Sequence, residues 1–110
     1  MQYMLLICTD ATAPADNGPD DVEQWVEEMD ARGIRLAGDR LRPPADATVV
    51  KVRNGELVVT DGPFAETKDW IAGYDLIECD DLDAAIEVAS KHAMARLGQI
   101  EIRPLWPFEG

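Results

Sequence analysis

Asp61, Glu66, Lys68 and His92 are the side chains whose types and settings could carry proton-transfer chemistry. The first three share one stretch, "VTDGPFAETKDW", Val59–Trp70. Asp61 could act as a general base or orient a ligand amine or water. It could equally accept backbone N–H bonds inside the Asp-Gly-Pro turn, as Asp does in Asx-turns. Glu66 and Lys68 alternate on an extended segment and so point the same way. They face either a cleft, as a catalytic pair, or solvent, as an ordinary surface ion pair. Gly62 and Pro63 read as architecture, one permitting unusual φ and the other fixing φ and removing a donor. Phe64 reads as a plug anchoring the loop to the core, with stacking on a ligand as its alternative. His92, the one histidine of the chain, titrates near neutrality. At ~100° per residue it lies about 120° from Ile86, on the flank of a helical stripe. Arg40 and Arg103 could each hold a ligand carboxylate through a guanidinium fork, or pair with one of the 22 acids. Tyr3 and Tyr74 fall in strands expected to be central, where each lines or fills an interior. The candidate catalytic set is thus Asp61, Glu66, Lys68 and His92. The candidate ligand contacts are Phe64, Tyr74, Arg40 and Arg103.

Other chemistries find no foothold. There is no glycine-rich phosphate loop, no HExxH and no cluster of metal-ligand spacing, so neither a metal nor a cofactor is expected. Cys8 and Cys79 have no CxxC partner and suggest neither zinc nor a disulfide framework. The charge balance, 10 − 22 = −12, repels phosphate backbones and anionic lipid, which argues against nucleic acid and membrane surfaces as partners. The opening "MQYMLLICTD" lacks a basic n-region, and its apolar run is too short for a signal peptide or a span. A cytoplasmic location with reduced thiols is the expectation.

The elements that must position these residues follow from patterning. At 110 residues the chain is expected to form one domain with a real core. "QYMLLICT" suits a central strand covered on both faces. A first helix is expected from Gly18 as cap and Pro19 as first helical residue. Its apolar stripe is Val22, Trp25, Val26 and Met29, and Arg32-Gly33 close it. "IRLAGDRL" is the second strand. "TVVKVRNGELVVT" holds two strands around Asn54-Gly55, a strong hairpin signal. "IAGYDLIEC" is the next strand. Asp80 is expected to cap a second helix whose stripe is Leu82, Ile86, Ala89, Ala93 and Leu97, stopped by Gly98. "QIEIRPLW" is the last strand.

Strand, helix, strand, hairpin, strand, helix, strand is an α+β, ferredoxin-like βαβ-βαβ plan with an inserted β-hairpin. Right-handed crossovers put both helices on one face of an antiparallel sheet. The other face needs cover, and a second copy supplies it most simply, so a homodimer is expected. The first and third core strands are expected to be parallel neighbours, bringing Cys8 and Cys79 within about 10 Å of each other as free thiols.

The octapeptide Asp61-Gly62-Pro63-Phe64-Ala65-Glu66-Thr67-Lys68, with "GDRLRPP", "AGYDLIE", "DLDAAIE" and "IEIRP" in order around it, resembles the DGPF-domain proteins of the YCII-related family. The resemblance covers nearly the whole chain and implies a single domain over 1–110. It also implies ferredoxin-like domains paired as a dimeric α+β barrel, and members encoded beside or fused to extracytoplasmic-function sigma factors. Related barrels include isomerases, monooxygenases and dehalogenases that bind substrate between sheet and helices. The wider family is thought enzymatic because of a shared histidine and aspartate. Its histidine usually lies on the first helix, and "VEQWVEEM" has none.

The leading functional expectation is small-molecule binding or catalysis in a cleft between sheet and helices near the DGPFAETK loop. The alternative is a regulatory module that contacts a sigma factor. Whether the chain is an enzyme stays open at this point.

Overall fold

Burial alternates along β1 (Gln2–Cys8), with Tyr3, Leu5 and Ile7 inward, and along β5 (Ile71–Glu78), with Gly73, Asp75 and Ile77 inward. That period-2 pattern is what a strand with one face against a core produces. The computed structural model describes residues 1–108. The other elements are α1 (Val22–Ala31), β2 (Arg35–Arg40), β3 (Thr48–Arg53), β4 (Glu56–Asp61), α2 (Leu82–Ser90), α3 (Met94–Leu97) and β6 (Gln99–Pro104). Four strands form one sheet in the order β2-β5-β1-β6, and β3 pairs only with β4 in a separate ribbon. The element order, the strand order and the inserted hairpin agree with the ferredoxin-like α+β expectation.

Every pairing in the main sheet is antiparallel, and here the expectation about the cysteines fails. A right-handed crossover makes β1 parallel to β2, not to the strand lying between them. Cys8 therefore pairs with Ile71, while the Cys79 amide bonds to the Met1 carbonyl at 3.0 Å. The two thiols sit at opposite ends of β1, on the order of 20 Å apart by strand rise. Both are unpaired.

The core joins Tyr3, Leu5, Ile7 and Ile77 of the sheet to Trp25 and Met29 of α1 and Ala85, Val88 and Ala89 of α2. The Trp25 Nε1 donates to the Val88 carbonyl at 2.9 Å, tying α1 to α2. Two helix starts differ from expectation. Asp21 rather than Gly18 precedes α1. Asp81 rather than Asp80 caps α2, its carboxylate accepting from the Ala84 amide at 2.9 Å. The second stripe also rotates: Leu82 and Ile86 are half exposed, and Ala85 and Val88 are buried in their place. The continuous helix expected to run to Leu97 breaks after Ser90 and resumes only as the short α3.

The hairpin turns through Asn54 (φ 53°) and Gly55 (φ 77°), the paired left-handed residues of a type I′ turn. Its strands stand clear of the main sheet, and Val50, Val52, Leu57 and Val59 are all more than half exposed. The chain is correspondingly extended. Its radius of gyration is 16.2 Å, against about 13 Å for a compact domain of this length.

Gly62 follows β4 at φ 96°, yet nothing lies within 4 Å of where a Cβ would sit. Its glycine is demanded by the dihedral, not by crowding. Gly62→Ala should cost about 1–2 kcal/mol through that strain. The exposed Glu66→Ala should stay within about 0.5 kcal/mol. Thermal melts of both variants check this, and equal shifts would contradict it.

Candidate functional site

The DGPFAETK loop does not gather its own polar groups into a pocket. Asp61 ends β4, opposite Thr48. Glu66 and Lys68 are exposed, and Phe64 is 90 % exposed, so it does not plug the core. None of the eight residues lines the α1–sheet cleft or the smaller cleft beside Cys79 and Lys91. Just beyond the loop, Asp69 accepts the Ala11 amide at 2.7 Å and Thr9 takes the Trp70 amide at 2.9 Å, fastening this segment to the end of β1. Arg103 lies on β6 and pairs with Glu101 at 3.0 Å.

The larger cleft is elsewhere. About 910 Å³ opens between the start of α1, the β2-β5 edge of the sheet and the α2–α3 turn. That is within the range of small-molecule sites. Of the expected candidates it gathers His92 and Arg40, while Tyr74 borders it on a strand whose alternation turns the Tyr74 side chain to the opposite sheet face. It adds two residues the sequence reading did not single out, Asp75 and Arg35.

Asp75 is 6 % exposed on the helix-facing side of a central strand. It lies across from Gly38 of β2. With no side chain at Gly38, the carboxylate leans over β2, and its Oδ1 accepts from Arg35 Nε at 2.8 Å. Arg35 is tied down on three sides: besides Asp75, Nη1 donates to Asp30 of α1 at 3.2 Å and Nη2 to the Gly38 carbonyl at 2.9 Å. It therefore holds Asp75 in place from the wall of the cleft. The Asp75 Oδ2 has no partner among the described residues and is not shut in. Burial pushes the Asp75 carboxyl up from its ordinary range, against the opposing pull of Arg35. A buried base with a raised pKa is better matched to proton transfer near neutrality.

His92 is 4 % exposed. The sequence reading put it on a helix flank, but that azimuth assumed an unbroken helix. The chain turns after Ser90, and the ring swings inward against Trp25, centroids 4.7 Å apart and edge-on. His92 Nδ1 accepts the Met94 amide at 3.0 Å. The neutral ring must then carry its proton on Nε2, which has no protein partner among the described residues and borders the cleft. Burial pulls the His92 pKa down, although Asp75, Asp20 and Asp21 all act to raise it. His92 is thus a neutral hydrogen-bond donor, not a ready base, because protonating Nδ1 would break the Met94 bond.

The sign of the linked pH effect follows. As pH falls through the ordinary histidine value of 6.5, the unfolded chain takes up a proton that the folded chain resists, so stability is lost on acidification. His92→Asn keeps an acceptor for the Met94 amide but cannot titrate. Its loss of melting temperature between about pH 7.5 and 5.5 should be smaller than the wild type's. Asp75 works the other way, since its raised pKa adds stability as pH falls, so the comparison of the two proteins is the measurement. Parallel melting curves would overturn the assignment.

The start of α1 completes the cleft. Asp21 does not cap the helix with its side chain, and its Oδ1 is buried without a partner. Arg40 stands at the rim beside Gly73, with no ion pair among the described residues.

Comparison with known proteins gives the chain a family. The sequence profile of the YCII-related domain matches residues 1–109. "Uncharacterized protein R00369" of Rhizobium meliloti (strain 1021) is 43 % identical over 114 residues, which span 96 % of this chain and 92 % of that protein. No helix among the described residues is long and apolar enough to cross a membrane.

Proposed function

Since the chain belongs to the YCII-related domain family, we propose that it binds a small molecule in the α1–sheet cleft and can transfer a proton there. Asp75 is the acceptor or base, and His92 is the donor that polarises the ligand. One observation carries this reading. Two side chains more than nine-tenths buried, one carboxylate and one imidazole, border the same cleft, and each keeps a polar atom without a protein partner. Perturbed titratable groups converging on a cavity mark functional sites. Residues of the DGPFAETK loop have no part in the chemistry on this reading. A screen of small polar metabolites, read by amide chemical shifts, tests it. Ligands should perturb Gly38, Gly73 and Asp75. Turnover, where detected, should fall by about 100-fold or more in Asp75→Asn. Ligands that perturb only the hairpin would refute the reading.

The functional unit proposed is a homodimer. Met4, Leu6, Tyr74 and Leu76 lie together on the sheet face opposite the helices, only half buried, and the hairpin is apolar and exposed. A two-stranded ribbon is marginal alone, and a second copy can cover both surfaces. Sedimentation at micromolar concentration should give a dimer mass, and a strictly monomeric mass would refute it. Val50 and Val59 face each other across the hairpin. Changing both to lysine should yield monomer. A sigma-factor partner would use the same hairpin, so a double variant that remains dimeric but folded favours that regulatory reading instead.

A further inference from the structure

We infer that the ligand of the α1–sheet cleft carries a protonated nitrogen, an ammonium or amidinium, next to a hydrogen-bond acceptor such as a hydroxyl or carbonyl. The inference rests on the cleft being the ligand site and names the class of molecule it takes.

The first observation is the set of unmet acceptors. Asp75 Oδ2 has no protein donor while the residue is 6 % exposed. Asp21 Oδ1 is buried with no donor at all, although its neighbour α1 offers free first-turn amides that it does not cap. A carboxylate oxygen is an acceptor only, and the Asp75 Oδ2 is accessible from the cleft. A ligand N–H satisfies it.

The second observation is charge. Asp20 and Glu23 join Asp21 and Asp75 in the wall. Arg35 offsets Asp75, its partner at 2.8 Å, which leaves Asp20, Asp21 and Glu23 against Arg40 at the rim. His92 adds no charge in its neutral form. The cleft is therefore anionic, and its low-dielectric walls strengthen attraction to a cation relative to bulk water.

The third observation gives the ligand its second feature. His92 Nε2–H is a donor fixed by the Met94 bond on the opposite nitrogen. It requires an acceptor on the ligand, which an isolated ammonium lacks. A cation and an acceptor within one small molecule match carboxylates and an imidazole that border one cleft.

Three probes of similar shape separate the classes: 2-amino-1-phenylethanol as its ammonium, with a hydroxyl beside the cation, benzyl alcohol and benzoate, each titrated into the isotope-labelled protein near pH 7. The ammonium should shift the amides of Gly38 and Gly73 and the His92 ring, and bind at least about tenfold more tightly than benzoate. Asp75→Asn should weaken it by about tenfold. Should that variant unfold for want of an Arg35 partner, Asp21→Asn, which loses no protein contact, must weaken the ammonium by the same order. Benzoate binding in the cleft as tightly as the ammonium overturns the charge class but leaves the cleft as a ligand site. Ammonium shifts unchanged in Asp21→Asn also overturn it. No cleft shifts with any of the three would overturn both the class and the site.

Discussion

Gly38→Ala should lower the free energy of unfolding by about 3 kcal/mol or more, which removes a large part of the stability of a domain of this size. The reason is local. A Cβ at Gly38 would collide with Asp75 Oδ1, and would lie 2.8 Å from both Arg35 Nη2 and the Tyr74 carbonyl. The Tyr74 carbonyl is backbone of the central strand and cannot swing away. The carboxylate could retreat only by abandoning Arg35. Overpacking alone costs about 1–3 kcal/mol, and separating a largely buried ion pair leaves two poorly hydrated charges, a further penalty of several kcal/mol. Urea unfolding of the variant measures the sum. A loss below about 1 kcal/mol would mean that β2 slides outward at little expense, and that Gly38 is not what allows Asp75 to face the cleft.

Trp25→Ala should be comparably damaging, by about 3–5 kcal/mol. The ring is 4 % exposed. It joins α1 to α2 through the Val88 carbonyl and forms the wall behind His92. Its removal should also free the His92 ring, seen as a histidine pKa that moves up toward its ordinary value. Trp106 is the control, since it is 92 % exposed. Trp106→Ala should stay within about 0.5 kcal/mol in a monomer. A loss that is absent at low protein concentration and grows as concentration rises would place Trp106 inside the dimer contact. Melts of the two variants over a range of concentrations decide both points.

The elements were largely legible in the sequence because local chemistry demands them. Asn54-Gly55 announced a turn with two left-handed residues, and the structure has them. The Trp25 and Met29 spacing marked the buried side of α1. The octapeptide and its flanking segments pointed to the family that the profile match supports. What was not legible depended on how elements meet. Strand direction in the sheet is a property of the crossovers, and misreading it placed Cys8 and Cys79 together. The azimuth of His92 was computed on a helix that in fact breaks after Ser90, where nothing as obvious as proline marks the stop. Asp75 read as an ordinary polar residue of "AGYDLIE". Its inward register, two residues from Gly73 and two from Ile77, was a usable signal. An acid at an inward position of a central strand needs a partner, and Arg35 supplies it only once β2 has been laid alongside β5.

The interleaved strand order also sets the order in which this chain can fold. β1 pairs with β5 and β6, and β2 pairs with β5, so no two strands adjacent in the main sheet are adjacent in the chain. Each pairing must close a long loop, which slows folding relative to local structure. The β3-β4 ribbon is the opposite case, closed by a two-residue turn, and isolated hairpins form in about 1–10 μs. During synthesis the ribbon can therefore assemble and dissolve many times while β1 still waits for its neighbours. The sheet is completed only after Gln99–Pro104 has left the ribosome, and until then β1 exposes an open, apolar edge. Slowing translation downstream of β5 would lengthen that interval, and with it the demand for chaperones.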